Sequence, residues 1–251
     1  MGTVHAWRDG AVLTLELSHP GRANALDLAM LGQLDAQLRV VEADAAVRVV
    51  VLRGTQGGTF SSGADVRQWG PMPPEVFGRD WIAHGNAIFD RLEQLRCPTV
   101  AAIEGLCFGG GLELALCADL RLASTAARFR FPEVGIGAIP GWKGGTRLAR
   151  LAGRGRALEA VLTLRTLDAA AAERWGMVNA VFEPSDFERG LDEWVGGLAR
   201  VSPAAAALAK AAILTDRDAG EFCAEAGQRV KASDDARIGL QAFLDKQPAR
   251  F

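Results

Sequence analysis

"PTVAAIEGLCFGGGLELALCADLRLA", Pro98 to Ala123, joins an apolar run, three consecutive glycines and an apolar helix carrying one carboxylate. The run from Pro98 to Gly105 does not alternate, which is the pattern of a strand buried on both faces. Gly109, Gly110 and Gly111 follow, and then Leu112 to Ala118, in which Glu113 is the one charge. Glycine is a poor helix former, yet three stand where a helix begins. The residues leave two readings open. The glycines let helix and strand pack closely, with Glu113 favoured by the helix dipole in the first turn. Or they bare the N–H groups of the helix's positive end to an oxygen that gains negative charge, with Glu113 one turn inside and within reach. Phosphate cradles are excluded. No stretch fits G-x-x-x-x-G-K-[ST], and a G-x-G-x-x-G fingerprint fails because the sixth residue is Leu114 from Gly109 and Pro140 from Gly135.

The same alternation extends on both sides. "AVLTLELS" (11–18) reads as a strand and "VRVVVLRG" (47–54) as a second strand buried on both faces. Between them, "DLAMLGQLDAQLRVVEAD" (27–44) places Leu28, Leu31, Leu34, Leu38 and Val41 on one helical face, with Asp27 as N-cap. A helix is expected from about Pro74 to Leu95, and short strands near Leu120–Ala123 and Phe129–Phe131. Strands alternating with helices imply an α/β fold with largely parallel strands. From about Ser185 the pattern is mostly helical. The expected division is an α/β core over 1–190 and a helical region over 191–251, whose exposed apolar faces would suit subunit packing.

Composition narrows the function classes. The chain has 251 residues, 49% hydrophobic and 23% charged, with net charge −2. That excludes disorder and gives no broad pull toward nucleic acid or an anionic membrane. No apolar run approaches the roughly 20 residues of a membrane helix. The start, "MGTVHAWRDG", carries neither a signal nor a transit pattern, and Ala6 breaks the myristoylation motif. Cys97, Cys107, Cys117 and Cys223 show no C-x-x-C and read as reduced core thiols, and the three histidines form no zinc motif. A cytoplasmic protein without a metal is expected.

Two further stretches join the glycine-rich helix start. "FSSGADV" (60–66) is a second glycine-containing loop behind a buried strand, another candidate source of free N–H groups. "FPEVGIGAIPG" (131–141) holds Glu133 just behind Pro132 in an apolar segment. Two N–H donors and two carboxylates in apolar surroundings suit a reaction that builds charge on a carbonyl oxygen while protons move nearby.

At this point the chain resembles a known family. "HPGRANALD", "FSSGADVRQW", "AAIEGLCFGGGLELALCADLRLA" and "FRFPEVGIGAIPGWKGGTRL" appear in the order and spacing of the enoyl-CoA hydratase/isomerase (crotonase) family. The resemblance runs from about Val12 to Pro184 and implies a spiral of ββα repeats with a C-terminal helical region. It implies an acyl-CoA thioester substrate, a place in fatty acid metabolism, and homotrimers or hexamers built as dimers of trimers. No cofactor is implied, since coenzyme A is part of the substrate. The N–H groups of Ala64 and Gly110 would form the oxyanion hole. Glu113 would take a proton from water attacking C3, and Glu133 would deliver one to C2. Substrate binding would involve Arg22, Ala23, Ser62, Gly63, Asp65, Val66, Gly109, Pro132 and Gly141, with Lys246 or Arg250 as phosphate partners. Arg22 and Lys246 are equally well explained as solvated charges.

The chain departs from the family pattern in places. Glu104 stands where Asn is frequent and is expected to be structural or exposed. Trp142 and Lys143 replace small residues after Pro140-Gly141 and would crowd one wall. Trp69, Phe77 and Trp81 could narrow the acyl pocket. There is no tyrosine, which removes any phenol-based mechanism. Having both glutamates favours hydration over a Δ3,Δ2-enoyl-CoA isomerase; a dehydratase would run the same chemistry backward. RNA binding through the first helix is disfavoured, because it carries Arg39 and no lysine against Asp27, Asp35, Glu42 and Asp44.

Overall fold

The computed structural model describes residues 1–215 and 218–251. The chain opens with a hairpin of β1 (Thr3–Asp9) and β2 (Val12–Ser18), turned at Gly10 with φ 54°. Helix α1 (Leu28–Ala43) follows. Its expected N-cap holds: the Asp27 carboxylate accepts from the Met30 N–H at 2.8 Å and also from the Gly2 N–H at 2.8 Å. On its buried face Met30 joins Leu31, Leu34, Leu38 and Val41, while Leu28 is only partly covered.

Strand β3 (Val49–Arg53) leads to short helices α2 (Val66–Trp69) and α3 (Pro74–Val76). The helix expected over Pro74 to Leu95 is interrupted by a π-helical segment, Phe77–Ala83, before α4 (His84–Glu93). The wider turn buries Trp81. Next come β4 (Thr99–Ile103), β5 (Leu106–Phe108), α5 (Gly110–Ala115), β6 (Leu120–Ser124) and β7 (Arg128–Arg130). A 3-10 turn, Glu133–Ile136, precedes α6 (Gly144–Ala152) and α7 (Arg154–Leu162). The body continues through β8 (Leu167–Asp168), α8 (Ala169–Arg174), β9 (Ala180–Phe182) and α9 (Phe187–Ala199). Helices α10 (Pro203–Leu214), α11 (Ala219–Lys231) and α12 (Asp234–Leu244) complete the chain.

Six strands form one sheet in the order β1-β2-β3-β4-β6-β9, parallel from β2 onward. A smaller sheet runs β5-β7-β8. Isolated parallel bridges, Leu26 to Ala64 and Ser61 to Cys107, extend it to earlier turns of the chain. Each turn thus lays a strand in the large sheet, a short extended piece in the small one, and then a helix. This is the spiral of ββα repeats that the sequence motifs imply.

The unbroken apolar runs have a clear cause. Val50, Leu52, Ala101 and Ile103 face the main core with α1, α4 and α5, while Val49, Val51, Val100 and Ala102 face Phe187, Leu191 and Val195 of α9. Both faces are covered, so nothing in these strands needs to alternate. Helix α9 crosses the boundary drawn at 190 and packs on the sheet. An ionic cluster ties it there: Arg53 pairs with Glu104 at 2.8 Å and Glu188 at 2.5 Å. Glu104 is therefore structural, as expected. Helices α10 to α12 leave Ile213 83% and Phe243 80% exposed. Cys97, Cys107 and Cys117 are buried, but Cys223 is exposed on α11 rather than in the core.

Gly111 marks how tightly α5 meets the small sheet. A Cβ there would lie 2.6 Å from Ser61 Cβ and 2.8 Å from the Ser61 carbonyl oxygen. Gly111→Ala is expected to lower stability by about 1–3 kcal/mol, seen as a lower midpoint in urea denaturation; an unchanged midpoint would show that the two segments can part freely.

Candidate active site

The Ser61–Cys107 bridge brings the two glycine loops together. The Ser61 N–H donates to Leu106 O at 3.1 Å, and the Phe108 N–H donates back to Ser61 O at 2.9 Å. The Ser61 hydroxyl donates to Asn24 O at 2.7 Å and accepts from the Gly63 N–H at 3.2 Å. On the far side the Leu26 N–H donates to Gly63 O at 2.7 Å and the Asp65 N–H to Leu26 O at 2.8 Å. Gly63 and Ala64 are thereby pinned between Leu26 and the start of α5.

Glycine is required on both sides of this seam. Gly63 has φ 115°, and a Cβ there would lie 3.3 Å from the Gly110 nitrogen. Gly109 has φ 49°, and a Cβ there would lie 2.9 Å from Glu133 Oε1. A Cβ on Gly110 would lie 2.5 Å from Trp142 Cζ3 and 3.2 Å from the Ala64 nitrogen. Among the described residues, no protein acceptor takes the N–H of Ala64 or of Gly110. Two free backbone donors therefore stand side by side, one at a helix N-terminus, an arrangement suited to an oxyanion.

Both glutamates open on the same cavity as these donors, a space of about 100 Å³. Glu113 is buried, and its Oε2 accepts the N–H of Trp142 at 2.8 Å and of Gly144 at 2.7 Å. Burial pushes its carboxyl up to about 8; the Gly144 N–H opposes this and the Glu133 charge adds to it. Glu133 begins the 3-10 turn behind Pro132, and its buried Oε2 has no protein partner. Burial raises it to about 7, opposed by its own backbone N–H. Two buried carboxyls of raised proton affinity hold a proton between them near neutrality.

The turn that holds Glu113 is itself held by Arg147, a residue the sequence reading missed. Its Nη1 donates to Trp142 O at 2.7 Å, and its Nη2 pairs with Asp90 and Glu93, each at 2.9 Å. The only trace in the sequence is a lone arginine on an otherwise apolar helical face. Gly141 is among the substrate-binding residues that the resemblance implies. It does line the cavity, but α6 starts at Gly144, and the donors to Glu113 are Trp142 and Gly144.

Ser62, Gly63, Val66, Gly109 and Pro132 also line the cavity, as do Trp69, Phe77 and Trp81. Arg22, Ala23 and Asp65 form a strip beside Ser62: the Ser62 N–H donates to Ala23 O at 2.9 Å, and Arg22 pairs with Asp65 at 3.5 Å. Lys246 follows α12, with its N–H donating to Phe243 O, and does not line the cavity. Among the described residues, no three His, Cys, Asp or Glu side chains could together hold a metal ion, and no single helix is long and apolar enough to cross a membrane.

A family model described as enoyl-CoA hydratase/isomerase matches residues 8–251. A short-chain-enoyl-CoA hydratase of Clostridium acetobutylicum is 35% identical over 245 residues, covering 96% of this chain and 94% of that protein. A crotonyl-CoA hydratase of Syntrophomonas wolfei is 33% identical over 252 residues, covering 97% and 95%. The crystal structure of enoyl-CoA hydratase from Bacillus anthracis superposes with a TM-score of 0.93 at 32% identity, covering 99% of this chain and 98% of that one.

The raised carboxyls tie stability to pH. Between the ordinary carboxyl value of 4.5 and about 8, the folded state holds a proton on Glu113 that the unfolded chain has released. The stability from that protonated form is complete below 4.5 and is lost as pH rises toward 8. Glu113→Gln keeps an oxygen for both N–H donors and cannot ionise. Its melting temperature relative to the parent should rise between pH 5 and pH 8.5. A constant difference across that range would mean that Glu113 is not raised by burial.

Proposed function

Since the chain belongs to the enoyl-CoA hydratase/isomerase family, we propose that it adds water across the 2,3-double bond of a 2-enoyl-CoA thioester. The observation that carries this reading is a single cavity combining two free N–H donors, Ala64 and Gly110, with two buried carboxyls, Glu113 and Glu133. The thioester oxygen sits between the two N–H groups. The pair reacts in the singly protonated form that carries its proton on Glu133, an arrangement in exchange with the one that carries it on Glu113. Water held by the carboxyls attacks C3, and its proton passes to Glu113. The π electrons move through C2 onto the thioester oxygen, giving an enolate that the two donors stabilise. Such a donor is worth roughly 3–4 kcal/mol in the transition state. The enolate collapses, C2 takes a proton from the protonated Glu133, and a proton then returns from Glu113 to Glu133 to reset the site.

The arrangement suits hydration better than isomerisation. Water addition needs a base and an acid together, whereas moving a double bond can be served by one carboxyl. The Glu113 oxygen that accepts two N–H groups is oriented and favours the carboxylate, so the proton moves on and off its other oxygen. Unpartnered Glu133 Oε2 is free to present a proton. The coenzyme A end lies along Ala23, Ser62, Asp65 and Val66, with Arg22 beside it. In this reading, exposed Ile213, Leu240 and Phe243 are covered by further copies in a trimer or hexamer.

Crotonyl-CoA should lose its conjugated ultraviolet absorbance on adding the protein. Glu113→Gln and Glu133→Gln should each lower kcat by about 10²–10⁴-fold. A parent that leaves the absorbance unchanged while binding the thioester would overturn the hydration reading. The parent's kcat/KM should be bell-shaped in pH, because a site with both carboxyls protonated has no base and one with both ionised has no acid. The rising limb is expected near about 7 and the falling limb near about 8, both as properties of the pair. A flat profile from pH 6 to 9 would argue against a two-carboxyl mechanism.

A further inference from the structure

We propose that Trp142 is the fixed closed end of the acyl pocket and restricts the substrate to short-chain 2-enoyl thioesters; this rests on the hydration reading above. The cavity has a direction. Val66, Ile136 and Ile139 on its lining are exposed, while Trp81 and Trp142 are each 1% exposed. Coenzyme A is too large and too polar to enter, so it stays at the exposed mouth. With the thioester oxygen on Ala64 and Gly110, the chain beyond C3 points inward, where the Trp142 ring lies against Gly110.

The indole is held from several sides. Its Nε1–H donates to Trp81 O at 3.1 Å. It stacks on Trp81 at 5.6 Å between ring centroids and packs obliquely on Phe89 at 5.0 Å. Gly85 of α4 gives it room: a Cβ there would stand 2.2 Å from Nε1. A ring fixed by a hydrogen bond, two aromatic neighbours and a glycine recess acts as a wall and not a gate. The remaining space of about 100 Å³ is below the roughly 150 Å³ that accommodates a benzene ring. It suits the reacting carbons and a methyl group, and a longer tail meets the indole. Trp142 thus acts twice. Its backbone N–H holds Glu113, which any residue but proline would supply, and its side chain sets the length limit.

The test compares kcat/KM for crotonyl-, 2-hexenoyl- and 2-octenoyl-CoA in the parent, Trp142→Phe and Trp142→Ala, with Kd for butyryl- and octanoyl-CoA measured by calorimetry. The readout is the ratio between chain lengths within each protein, because absolute rates also feel the turn that holds Glu113. One surplus methylene in a tight pocket is worth about tenfold or more. The parent should therefore fall at least about tenfold from the four- to the six-carbon substrate. Trp142→Ala should raise the eight-to-four-carbon ratio by about tenfold or more, and Trp142→Phe by less. A parent that uses all three lengths equally, or a ratio unmoved in both variants, overturns the wall. Should Trp142→Ala fail to fold, Trp142→Phe and the Kd ratio decide. A parent inert on all three substrates overturns hydration instead, while the butyryl-to-octanoyl Kd ratio in parent and Trp142→Phe still decides the wall. Binding of neither saturated thioester overturns both readings.

Discussion

The loop ending at Ala64 and the start of α5 meet so closely that a Cβ on Gly111 would overlap Ser61. A Cβ on Gly110 would stand 3.2 Å from the Ala64 nitrogen, and one on Gly111 would press into the Ser61 backbone. The seam is built mainly from backbone, with the Ser61 hydroxyl as its side-chain tie, so its geometry depends chiefly on the two flanking pieces of extended chain. The Ser61–Cys107 and Leu26–Ala64 bridges set that geometry. They belong to the small sheet, whose place is fixed by the large one. The spiral therefore serves as the alignment device for two N–H groups drawn from separate turns. Because these donors are peptide groups, they would need no reorganisation to meet charge on an oxygen placed between them.

A second constraint follows from the first. Donors left without protein acceptors must face a cavity, and an apolar cavity raises the proton affinity of any carboxyl placed in it. Glu113 meets that condition with two N–H groups from the turn before α6, and Arg147 fixes the turn from behind through the Trp142 carbonyl. Asp90 and Glu93 balance the buried guanidinium. Glu133 has no such support on Oε2. The pair is thus asymmetric in anchoring while similar in burial, which suits one group that is oriented and another that exchanges its proton with the ligand.

Trp142 shows how one position serves structure and selectivity together. Its backbone belongs to the Glu113 anchor, and its indole fills space opened by Gly85 on another helix. The π-helical segment before α4 brings Trp81 under the same ring. The apolar end of the cavity is therefore shared among the α4 region, the α5 start and the turn before α6, so no single segment reveals it.

The sequence by itself determined the alternation of strands and helices, the two-faced burial of Val49–Arg53 and Thr99–Ile103, the Asp27 cap, and the candidate loops and glutamates. These are legible because periodicity, capping and glycine requirements are local properties of the chain. It also led to the family, through motif order over most of the length. Only the tertiary structure decided which features share a cavity. Arg147, Gly85 and the indole of Trp142 meet partners at sequence separations of 5 to 61; Trp142 stood out in sequence as a bulky residue, but its partners did not. Glu104 was expected to be structural or exposed, and only the packed strands name its partner, Arg53. Lys246 lies outside the cavity lining, which a lone charge after a helix does not reveal. Burial, and with it the proton affinity of Glu113 and Glu133, belongs to the packed assembly of turns and not to any one of them, and so no stretch of sequence could give it.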